Sequence, residues 1–254
     1  MTPTANRHAI PILTYHQIAP APAPGAAFRS LCVSPARFRS QMAWLKRLGY
    51  RGVSMRELMP YLRGERQGRV VGITLDDGYR NNLESALPVL LEMSFTATCY
   101  VVSGQLGGSN TWDHGIGVEP ATLMTAREVQ AWSAAGMEVG SHTRNHVRMN
   151  EACADDVETQ LRGSRQDLED LLGLSVQQFC YPFGQYRAEH VRQVMAAGYE
   201  AATTTQRGRV HAGDDVFQLR RIPVVRSTTW PQFLIKLMSA YEDKYRAQGE
   251  TAHD

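Results

Sequence analysis

The chain has 254 residues, of which 43% are hydrophobic and 20% are charged, and its formal net charge is +2. This length suits one large α/β domain, and the apolar content is sufficient for a substantial core, which excludes an intrinsically disordered chain. The near-neutral charge balance does not favour nucleic-acid binding, so we expect no nucleic-acid partner.

Strand-like and helix-like segments alternate along the first half of the chain. A short apolar run, AIPILTY, is followed by a Pro/Ala loop over 19–28. The stretch SPARFRSQMAWLKRLG predicts a helix that Ser34 caps. A second helix begins at SMREL, where Ser54 and Glu57 have the spacing of a capping box. The run VVGITL predicts a buried strand, and a helix over 80–93 follows it.

The alternation continues through the second half. Strands are predicted at TATCYVV, GMEVGS, VQQFCYPFG, YEAATTT and LRRIPVV. Helices are predicted after a capping box at Thr125 and Glu128, and then over 151–172, 187–197 and 230–245.

Repeated strand-then-helix units imply a mostly parallel sheet with right-handed crossovers. About seven such units in a chain of this length favour a distorted (β/α) barrel of about seven parallel strands, and an open doubly wound sheet is the alternative. We expect one domain spanning 1–254, with a core over about 10–225 and a C-terminal helix over 230–245. In both architectures functional side chains gather where strands end and loops begin.

The charges are unevenly distributed. Through Val70 there are eleven Lys and Arg but only two acids, whereas positions 151–170 hold seven acids and two arginines. Two solvated faces of opposite sign are the simplest interpretation. The alternative is a basic N-terminal third that makes peripheral contact with an anionic glycan or a membrane surface.

The cysteines and the N-terminal segment bear on the cellular compartment. The four cysteines form no CxxC pair, so we expect buried free thiols and no disulfide framework. No signal-peptide pattern and no apolar run long enough to span a membrane is present. The sequence therefore predicts a cytoplasmic protein without a transmembrane segment, with export as the alternative.

Two adjacent carboxylates, Asp76 and Asp77, follow the predicted strand VVGITL in the stretch ITLDDGY. Adjacent carboxylates repel each other and lose hydration at the edge of a core. A divalent cation bound by one of them would offset this cost, and the other would be free to accept a proton from a nearby water. Gly78 would let the backbone turn sharply. A simple helix cap is the alternative, but a cap needs only one acid.

A histidine pair ends another predicted strand, in the stretch GMEVGSHTRNH. If the chain turns into a helix there, the four-residue spacing of His142 and His146 brings both imidazoles to one side. Two histidines and one carboxylate around an open position form a common catalytic metal set, which Asp77 would complete. Alone, the HxxxH spacing is a weak signal, and a surface histidine pair is the alternative.

Together, TLDDGY, SHTRNH and YPFG resemble the first three signature motifs of the polysaccharide deacetylases, carbohydrate esterase family 4, in the family's order. The resemblance covers roughly residues 10–225. It implies a distorted (β/α) barrel and metal-dependent removal of N-acetyl groups from amino-sugar polymers. By position it implies that Asp76 is the general base and that a divalent metal, zinc in most of the family, is bound by Asp77, His142 and His146.

The third motif is implied to line the substrate groove. Its backbone would also contribute an N–H, at Phe183, to an oxyanion hole. Trp112, in NTWD, resembles a loop that one branch of the family uses near its active site, where stacking on a sugar ring and plain packing are both open roles. The implied groove residues are Tyr181, Pro182, Phe183, Gly184 and Trp112.

The chain departs from the family pattern at two places. Cys180 stands where the third motif commonly starts with an arginine that steadies the base. In LRRIPVV, Arg220 and Arg221 are adjacent, and strand alternation puts them on opposite faces. We expect Arg221 to point inward and pair with Asp76, with exposure of both arginines as the alternative.

The second departure is the absence of the family's C-terminal strand ending in a histidine. Instead, LTYHQI places His16 at the end of the first predicted strand. This arrangement resembles the branch that includes exopolysaccharide and poly-N-acetylglucosamine deacetylases, where an N-terminal histidine serves as the acid. The resemblance implies that His16 is the general acid, and a partly buried structural histidine is the alternative.

The predicted function is a metal-dependent hydrolase that removes N-acetyl groups from an N-acetylated amino-sugar polysaccharide or oligosaccharide and releases acetate. A metal-dependent amidase for a small N-acyl or cyclic amide is one alternative, which a deep closed pocket would favour. A catalytically impaired glycan-binding module is the other, since the substitution at Cys180 raises that question.

Overall fold

The computed structural model describes residues 9–246, and its centre is a sheet of parallel strands. The predicted domain extends into 1–8 and 247–254, and these parts of the prediction lie outside the described residues. Within the described residues the ten strands, in chain order, are β1 (Ile12–Tyr15), β2 (Gln17–Ile18), β3 (Cys32–Val33), β4 (Arg51–Val53), β5 (Val70–Leu75), β6 (Thr98–Val101), β7 (Glu138–Ser141), β8 (Gln178–Cys180), β9 (Ala201–Arg207) and β10 (Leu219–Pro223).

Seven of these strands close into a barrel. The order β1-β10-β9-β8-β7-β6-β5 returns to its start because β1 also pairs with β5, in the register Ile12↔Gly72 to Tyr15↔Leu75. The predicted parallel barrel is confirmed, and the open sheet is excluded, because the first strand has a partner on both sides. β4 extends the sheet by pairing with the first part of β5, and β2 and β3 form a separate two-stranded sheet.

The α-helices cover the outside of the barrel, and amphipathic faces explain most of their positions. Helix α1 buries Phe38, Met42 and Leu45, and α5 buries Val157 and Leu161. The seven α-helices found between residues 9 and 246 are α1 (Pro35–Arg47), α2 (Met55–Leu62), α3 (Leu87–Met93), α4 (Ala126–Ala134), α5 (Ala154–Leu172), α6 (Ala188–Ala196) and α7 (Trp230–Met238).

Two predicted helices are shorter or less regular than expected. The segment predicted as one helix over 80–93 is a π-helical turn at Asn82–Ala86 followed by α3. Pro88 lies inside this stretch and has no N–H to donate, which disfavours regular α-helical bonding. The predicted helix 230–245 ends at Met238, because Ser239 adopts an extended conformation. A 3-10 turn then follows near the end of the described chain.

The predicted helix caps are partly confirmed. Ser34 accepts a hydrogen bond from the Arg37 backbone N–H, and Thr125 forms a complete capping box with Glu128. At the start of α2, Ser54 accepts from the Glu57 N–H, but the carboxylate of Glu57 is engaged by other side chains. The predicted capping box of Ser54 and Glu57 is therefore only half formed.

Tight packing around the strands leaves room for few substitutions in the barrel. A Cβ on Gly140 would lie 2.5 Å from the ring of Tyr100, so this glycine provides the space that the ring occupies.

All four cysteines are free, as predicted. Cys153 differs from the expectation of burial, because it is exposed at the N-cap of α5, where its thiol faces the carboxylate of Asp156.

The basic N-terminal third is partly neutralised within the fold. Arg39 pairs with Glu92, and Arg51 pairs with Glu57. This pairing is typical of a solvated face and gives no support to peripheral membrane contact. Among residues 9–246, no helix combines the length and the apolar character that crossing a membrane requires.

Candidate active site

A cavity of about 340 Å³ opens at the carboxyl ends of the barrel strands. This is the edge where parallel (β/α) folds gather functional side chains. Side chains that follow β1, β5, β7 and β8 reach it, and two loops over 20–32 and 112–121 form the rest of its wall. Polar groups at the cavity include His16, Asp76, Asp77, Tyr79, Asp113, His142, His146 and Thr205.

The backbone after β5 turns sharply enough to separate the two carboxylates. The Asp76 N–H still donates to the Tyr15 carbonyl at 2.9 Å, which continues the pairing of β1 and β5. The next two residues are left-handed, with φ of 73° at Asp77 and 75° at Gly78. A left-handed conformation is ordinary for glycine and costly for an aspartate, and such strain is concentrated at functional sites.

The two histidines converge without a helix between them. His142 directly follows β7, and its N–H donates to the Val101 carbonyl at 3.0 Å. The chain then forms a turn in which Thr143 has φ of 63° and His146 has φ of 53°. Arg144 secures this turn through a two-point ion pair with Asp167 on α5. A tight turn, rather than helical periodicity, therefore brings the imidazoles together.

Asp77, His142 and His146 surround a common point. The Nε2 atoms of both histidines lie 3.4 Å from Oδ1 of Asp77, and all three side chains are buried. Among the described residues this is one of two groups whose potential ligand atoms lie within 4.8 Å of one another. The other group, Asp76 with His142 and Cys180, has its carboxylate already engaged by an arginine.

The hydrogen bonding of His142 tests whether a cation fits here. Its Nδ1 lies 2.7 Å from the Cys180 carbonyl, which can only accept, so Nδ1 carries the hydrogen. In neutral His142 the Nε2 lone pair therefore faces the carboxylate of Asp77. Two acceptors face each other favourably only when positive charge lies between them. The donor set fits a divalent cation, and the Cys180 carbonyl orients the imidazole in the way typical of metal-bound histidines.

The electrostatics of the three residues show that a proton can also supply the positive charge between His142 and Asp77. Burial opposes ionisation of Asp77, but hydrogen bonds with His142 and His146 hold its pKa well below its usual range. Burial also disfavours the charged form of His142, but Cys180 and Asp77 outweigh it and raise its pKa. For His146, burial dominates and lowers its pKa. The site thus keeps the carboxylate of Asp77 ionised, favours the charged form of His142 and favours the neutral form of His146.

Asp76 is held away from this group by Arg221. The guanidinium donates to both carboxylate oxygens, Nη1 to Oδ1 at 2.7 Å and Nη2 to Oδ2 at 2.8 Å, and both side chains are buried. Burial would raise the pKa of Asp76, but the charge and hydrogen bonds of Arg221 lower it overall. Arg220, on the opposite face of β10, instead donates to the Arg207 carbonyl.

Cys180 occupies the position next to this ion pair. Its Sγ accepts from Nη2 of Arg221 at 3.2 Å and lies 3.8 Å from Oδ2 of Asp76. A small thiol leaves space in which the long side chain of Arg221 reaches the carboxylate from β10. The guanidinium therefore approaches Asp76 from a different strand than an arginine at position 180 would.

His16 reaches the cavity from the end of β1. Its Nε2 lies 4.0 Å from Oδ2 of Asp76, and about a quarter of its side chain is exposed. The Asn82 amide donates to the His16 carbonyl at 2.9 Å, which ties this residue to the segment after β5. The imidazole thus lies within reach of both Asp76 and solvent, as an acid at a cavity mouth would require.

Aromatic rings surround His146. Trp112 stacks on its imidazole with ring centroids 4.4 Å apart, and Phe183 meets it edge-on at the same distance. Its Nδ1 has no hydrogen-bond partner among the described residues, so packing rather than hydrogen bonding orients this ring. Trp112 thereby has a packing role, and it also lines the cavity.

The YPFG segment contributes to the cavity less than the resemblance implied. Tyr181 and Phe183 lie at the wall, but Pro182 is buried beneath it. Gly184 packs against Thr205, since a Cβ at this glycine would lie 1.7 Å from the hydroxyl oxygen of Thr205. A side chain at position 184 would therefore collide with Thr205, and the role of Gly184 is to let Thr205 approach the site.

Several residues at the cavity were not singled out from the sequence. Tyr79 is the last residue of LDDGY, so its proximity to Asp77 could have been recognised there. Burial, followed by the charges of Asp77 and Asp113, raises the pKa of the Tyr79 hydroxyl. Thr205 and the loop over 20–32 carried no recognisable signal, because only the folded chain brings them to the strand ends.

Comparison with known proteins identifies the family of this chain. A protein-family description, polysaccharide deacetylase, matches residues 63–202, which is more than half of the chain. A poly-β-1,6-N-acetyl-D-glucosamine N-deacetylase of Staphylococcus aureus is 22% identical over 226 residues, 85% of this chain and 75% of that protein. The family match over residues 63–202 contains Asp76, Asp77, His142 and His146.

Solved structures share the fold. A polysaccharide deacetylase of Bacillus cereus is 26% identical, with a TM-score of 0.76 over 91% of this chain and 69% of that one. A Streptococcus pyogenes deacetylase in complex with acetate has a TM-score of 0.80 and 24% identity, over 91% of this chain and 99% of that one. The barrel, the strand-end carboxylates and histidines, and the family match lead to one conclusion: this chain belongs to the polysaccharide deacetylase family of hydrolases.

Proposed function

We propose that this protein is a metal-dependent deacetylase that removes N-acetyl groups from an amino-sugar polysaccharide or oligosaccharide and releases acetate. The observation that carries the proposal is the separation of two adjacent carboxylates. Asp77 lies with His142 and His146 around one point, whereas Asp76 lies beside that point in an ion pair with Arg221. This separation supports a role for Asp77 in holding a cation and a role for Asp76 in moving a proton.

Asp77, His142 and His146 would hold the cation, and we propose zinc because two imidazoles and a carboxylate suit it. When bound, zinc supplies Lewis acidity that polarises the acetyl carbonyl and lowers the pKa of a water. Because Arg221 lowers the pKa of Asp76, its carboxylate is ionised at neutral pH and can accept a proton.

The remaining roles follow from position. Each oxygen of Asp76 retains a lone pair beyond its bond to Arg221, so Oδ2 can take the proton of the attacking water. As the water oxygen bonds to the amide carbon, the N–H of Phe183 at the cavity wall stabilises the developing oxyanion. Protonated His16 then donates to the sugar nitrogen as the carbon–nitrogen bond breaks. The products are acetate and a free amine.

The lining of the cavity favours a sugar over a small cyclic amide. Trp112, Phe183 and Tyr79 line it, and Phe28, which is 48% exposed, stands at its rim. Aromatic faces pack on the C–H faces of sugar rings while polar groups meet the hydroxyls. The Staphylococcus aureus relative named above is a poly-N-acetylglucosamine deacetylase, and we propose an N-acetylated glucosamine polymer or oligomer as the substrate here.

Acetate release from N-acetylglucosamine oligomers, with and without a chelator, tests the proposed function. We expect release that a chelator abolishes and added zinc restores. Asp76→Asn should abolish release while zinc content, measured by elemental analysis, stays near that of the wild type. His146→Ala should lower zinc content as well as activity.

Matched controls make this experiment specific. Asp170→Asn, on the exposed face of α5, and His211→Ala, at an exposed loop, make the same changes far from the cavity and should alter neither property. Full turnover in Asp76→Asn would refute the base assignment. Tight glycan binding without acetate release from any oligomer would instead favour the impaired binding module.

A further inference from the structure

A continuous path of surface depressions leads away from the cavity. The loop wall at Pro20 and Pro22 faces the cavity, and Ala21 between them faces a second depression. Cys32 borders both. Ser34 and Arg37 in turn border both this second depression and a third. The three are therefore neighbours on one surface, in the order in which a chain leaving the cavity would meet them.

The second depression is cationic, and we call it the arginine depression. Arg29, Arg37 and Arg226 line it, and none of its lining residues in the described structure carries a carboxylate. Arg29 donates to the Pro22 carbonyl, and Arg37 donates to the Arg226 carbonyl. These backbone contacts orient two guanidinium groups without neutralising them. Guanidinium groups bind carboxylates and phosphates well, so the depression suits an anionic group.

The third depression, which we call the tryptophan groove, has an aromatic platform. Trp44 and Trp230 lie nearly parallel, with a 12° angle between their planes and ring centroids 5.9 Å apart. Trp230 is 60% exposed, which is unusual for so large an apolar side chain. Ser40 and Gln41 line the groove beside the rings. Aromatic faces flanked by hydroxyl and amide groups match the surface chemistry of sugars.

Helix α1 carries one side of both depressions. Arg37, Ser40 and Trp44 follow one another at spacings of three and four residues, so they lie on one stripe of the helix. With a rise of 1.5 Å per residue, Arg37 and Trp44 are separated by about 10 Å along the axis. The stripe is thus an extended surface, which a polymer could follow and a small molecule could not fill.

We propose that the arginine depression and the tryptophan groove form an extended binding track for the glycan whose acetylated unit occupies the cavity, and that the track selects chains carrying an anionic group. This inference rests on the proposed function, because it treats all three depressions as contacts of one substrate. The anionic group is a carboxylate or a phosphate, since the arginines would accept either. The tryptophan platform would stack a sugar of the same chain independently of charge.

Equilibrium binding tests the track without requiring turnover. The probes are an N-acetylglucosamine hexamer, the same hexamer phosphorylated on its terminal unit, and a hyaluronan hexasaccharide, which carries carboxylates. We expect one or both charged probes to bind more tightly than the neutral hexamer, and the tighter of the two identifies the anion. Double substitution Arg37→Gln/Arg226→Gln should weaken the charged complex by about tenfold and leave the neutral one nearly unaltered.

A second variant separates stacking from charge. Trp230→Ala should weaken binding of all three hexasaccharides, and circular dichroism would verify its folding. Arg192→Gln on α6 and the exposed Leu174→Ala make comparable changes elsewhere and should leave every affinity unaltered. Equal affinity for charged and neutral hexamers, or affinities that the track variants do not change, would overturn the proposal. The proposal would also be overturned if the wild type bound anionic vesicles and the arginine variant lost this vesicle binding while its affinities for the hexasaccharides stayed the same.

Turnover distinguishes this inference from the proposed function. The ratio of kcat/KM for the preferred charged hexamer to that for the neutral dimer should fall in the track variants and remain constant in the two controls. If no oligomer releases acetate but the charged hexamer still binds through Arg37, Arg226 and Trp230, the proposed function fails and the track stands. If acetate is released with no dependence on these residues, the track fails and the proposed function stands.

Discussion

Arg221 and Asp76 join two strands from distant parts of the chain through a buried, two-point ion pair. Arg221 also donates to the Thr204 carbonyl and to the Thr74 hydroxyl, so its guanidinium is held on several sides. Removal of one partner from a buried pair leaves an uncompensated charge, which is costly. The pair therefore serves both the stability of the barrel and the protonation state of the proposed base.

Substitution of Arg221 should change the pH dependence of catalysis. Arg221 lowers the pKa of Asp76, and burial acts in the opposite direction. In Arg221→Met only the charges of His16 and His142 still oppose burial, so the pKa of Asp76 should rise and the acid limb of the kcat/KM profile should move to higher pH. Arg221→Lys keeps the charge without the two-point geometry, so the acid limb of this variant should lie between those of the wild type and Arg221→Met. A pH–rate profile measures the shift.

Stability provides a second readout for the same variants. Arg221→Met should lower the free energy of unfolding by about 3–5 kcal/mol, because Asp76 loses its buried partner. Arg220→Met, one residue earlier on the outer face of β10, is the matched control and should cost much less. An acid limb that stays in place in Arg221→Met would contradict the assignment of Asp76 as the group that titrates there.

At the scale of elements, the turns after the strands shape the site more than the strands do. The turn after β5 separates Asp76 from Asp77 through left-handed residues, and the turn after β7 brings His142 and His146 together. The 3-10 turn after β8 has Phe183 in the same region, with φ of 58°. Asp77, His146 and Phe183 are thus held in left-handed conformations by surrounding contacts.

Gly184 tests how closely the turn after β8 must approach β9. It has φ of 68°, and an added Cβ would overlap the Thr205 hydroxyl. Gly213 has φ of 90° with nothing within 4 Å of an added Cβ, so Gly213→Ala measures conformational strain alone. We expect Gly213→Ala to cost roughly 1 kcal/mol and Gly184→Ala to cost about 1–3 kcal/mol more, measured by denaturant unfolding. Equal costs would mean that Thr205 moves away freely.

At the scale of the whole molecule, barrel closure assembles the site. Because β1 pairs with both β5 and β10, His16, Asp76 and Arg221 end on neighbouring strands although they are far apart in sequence. The residues proposed to bind zinc follow strands β5 and β7 of the same barrel. A cation bound there would connect strand ends only in the folded chain, and thus it should stabilise the barrel.

Metal removal should therefore lower the melting temperature. At a free zinc concentration about 1,000 times Kd, the stabilisation is about 4 kcal/mol, which corresponds to a shift of roughly 10 °C for a chain of this size. A chelator should remove this shift, and added zinc should restore it, as differential scanning calorimetry can measure. His146→Ala should melt at the same temperature with or without chelator. A wild-type melting temperature indifferent to chelator and zinc would argue against the site.

Local patterns in the sequence predict the alternation of strands and helices, the positions of Asp76, Asp77 and His142 at strand ends, and the opposite faces of Arg220 and Arg221. These features follow from periods of two and 3.6 residues and from local motifs, which depend only on neighbours in the chain. Folding of the whole chain is needed to form a turn rather than a helix between His142 and His146, and to make the loop over 20–32 a wall of the cavity. It also brought His16 to within 4.0 Å of Asp76. These outcomes depend on closure of the barrel and on packing between distant segments, and no local pattern encodes such long-range contacts.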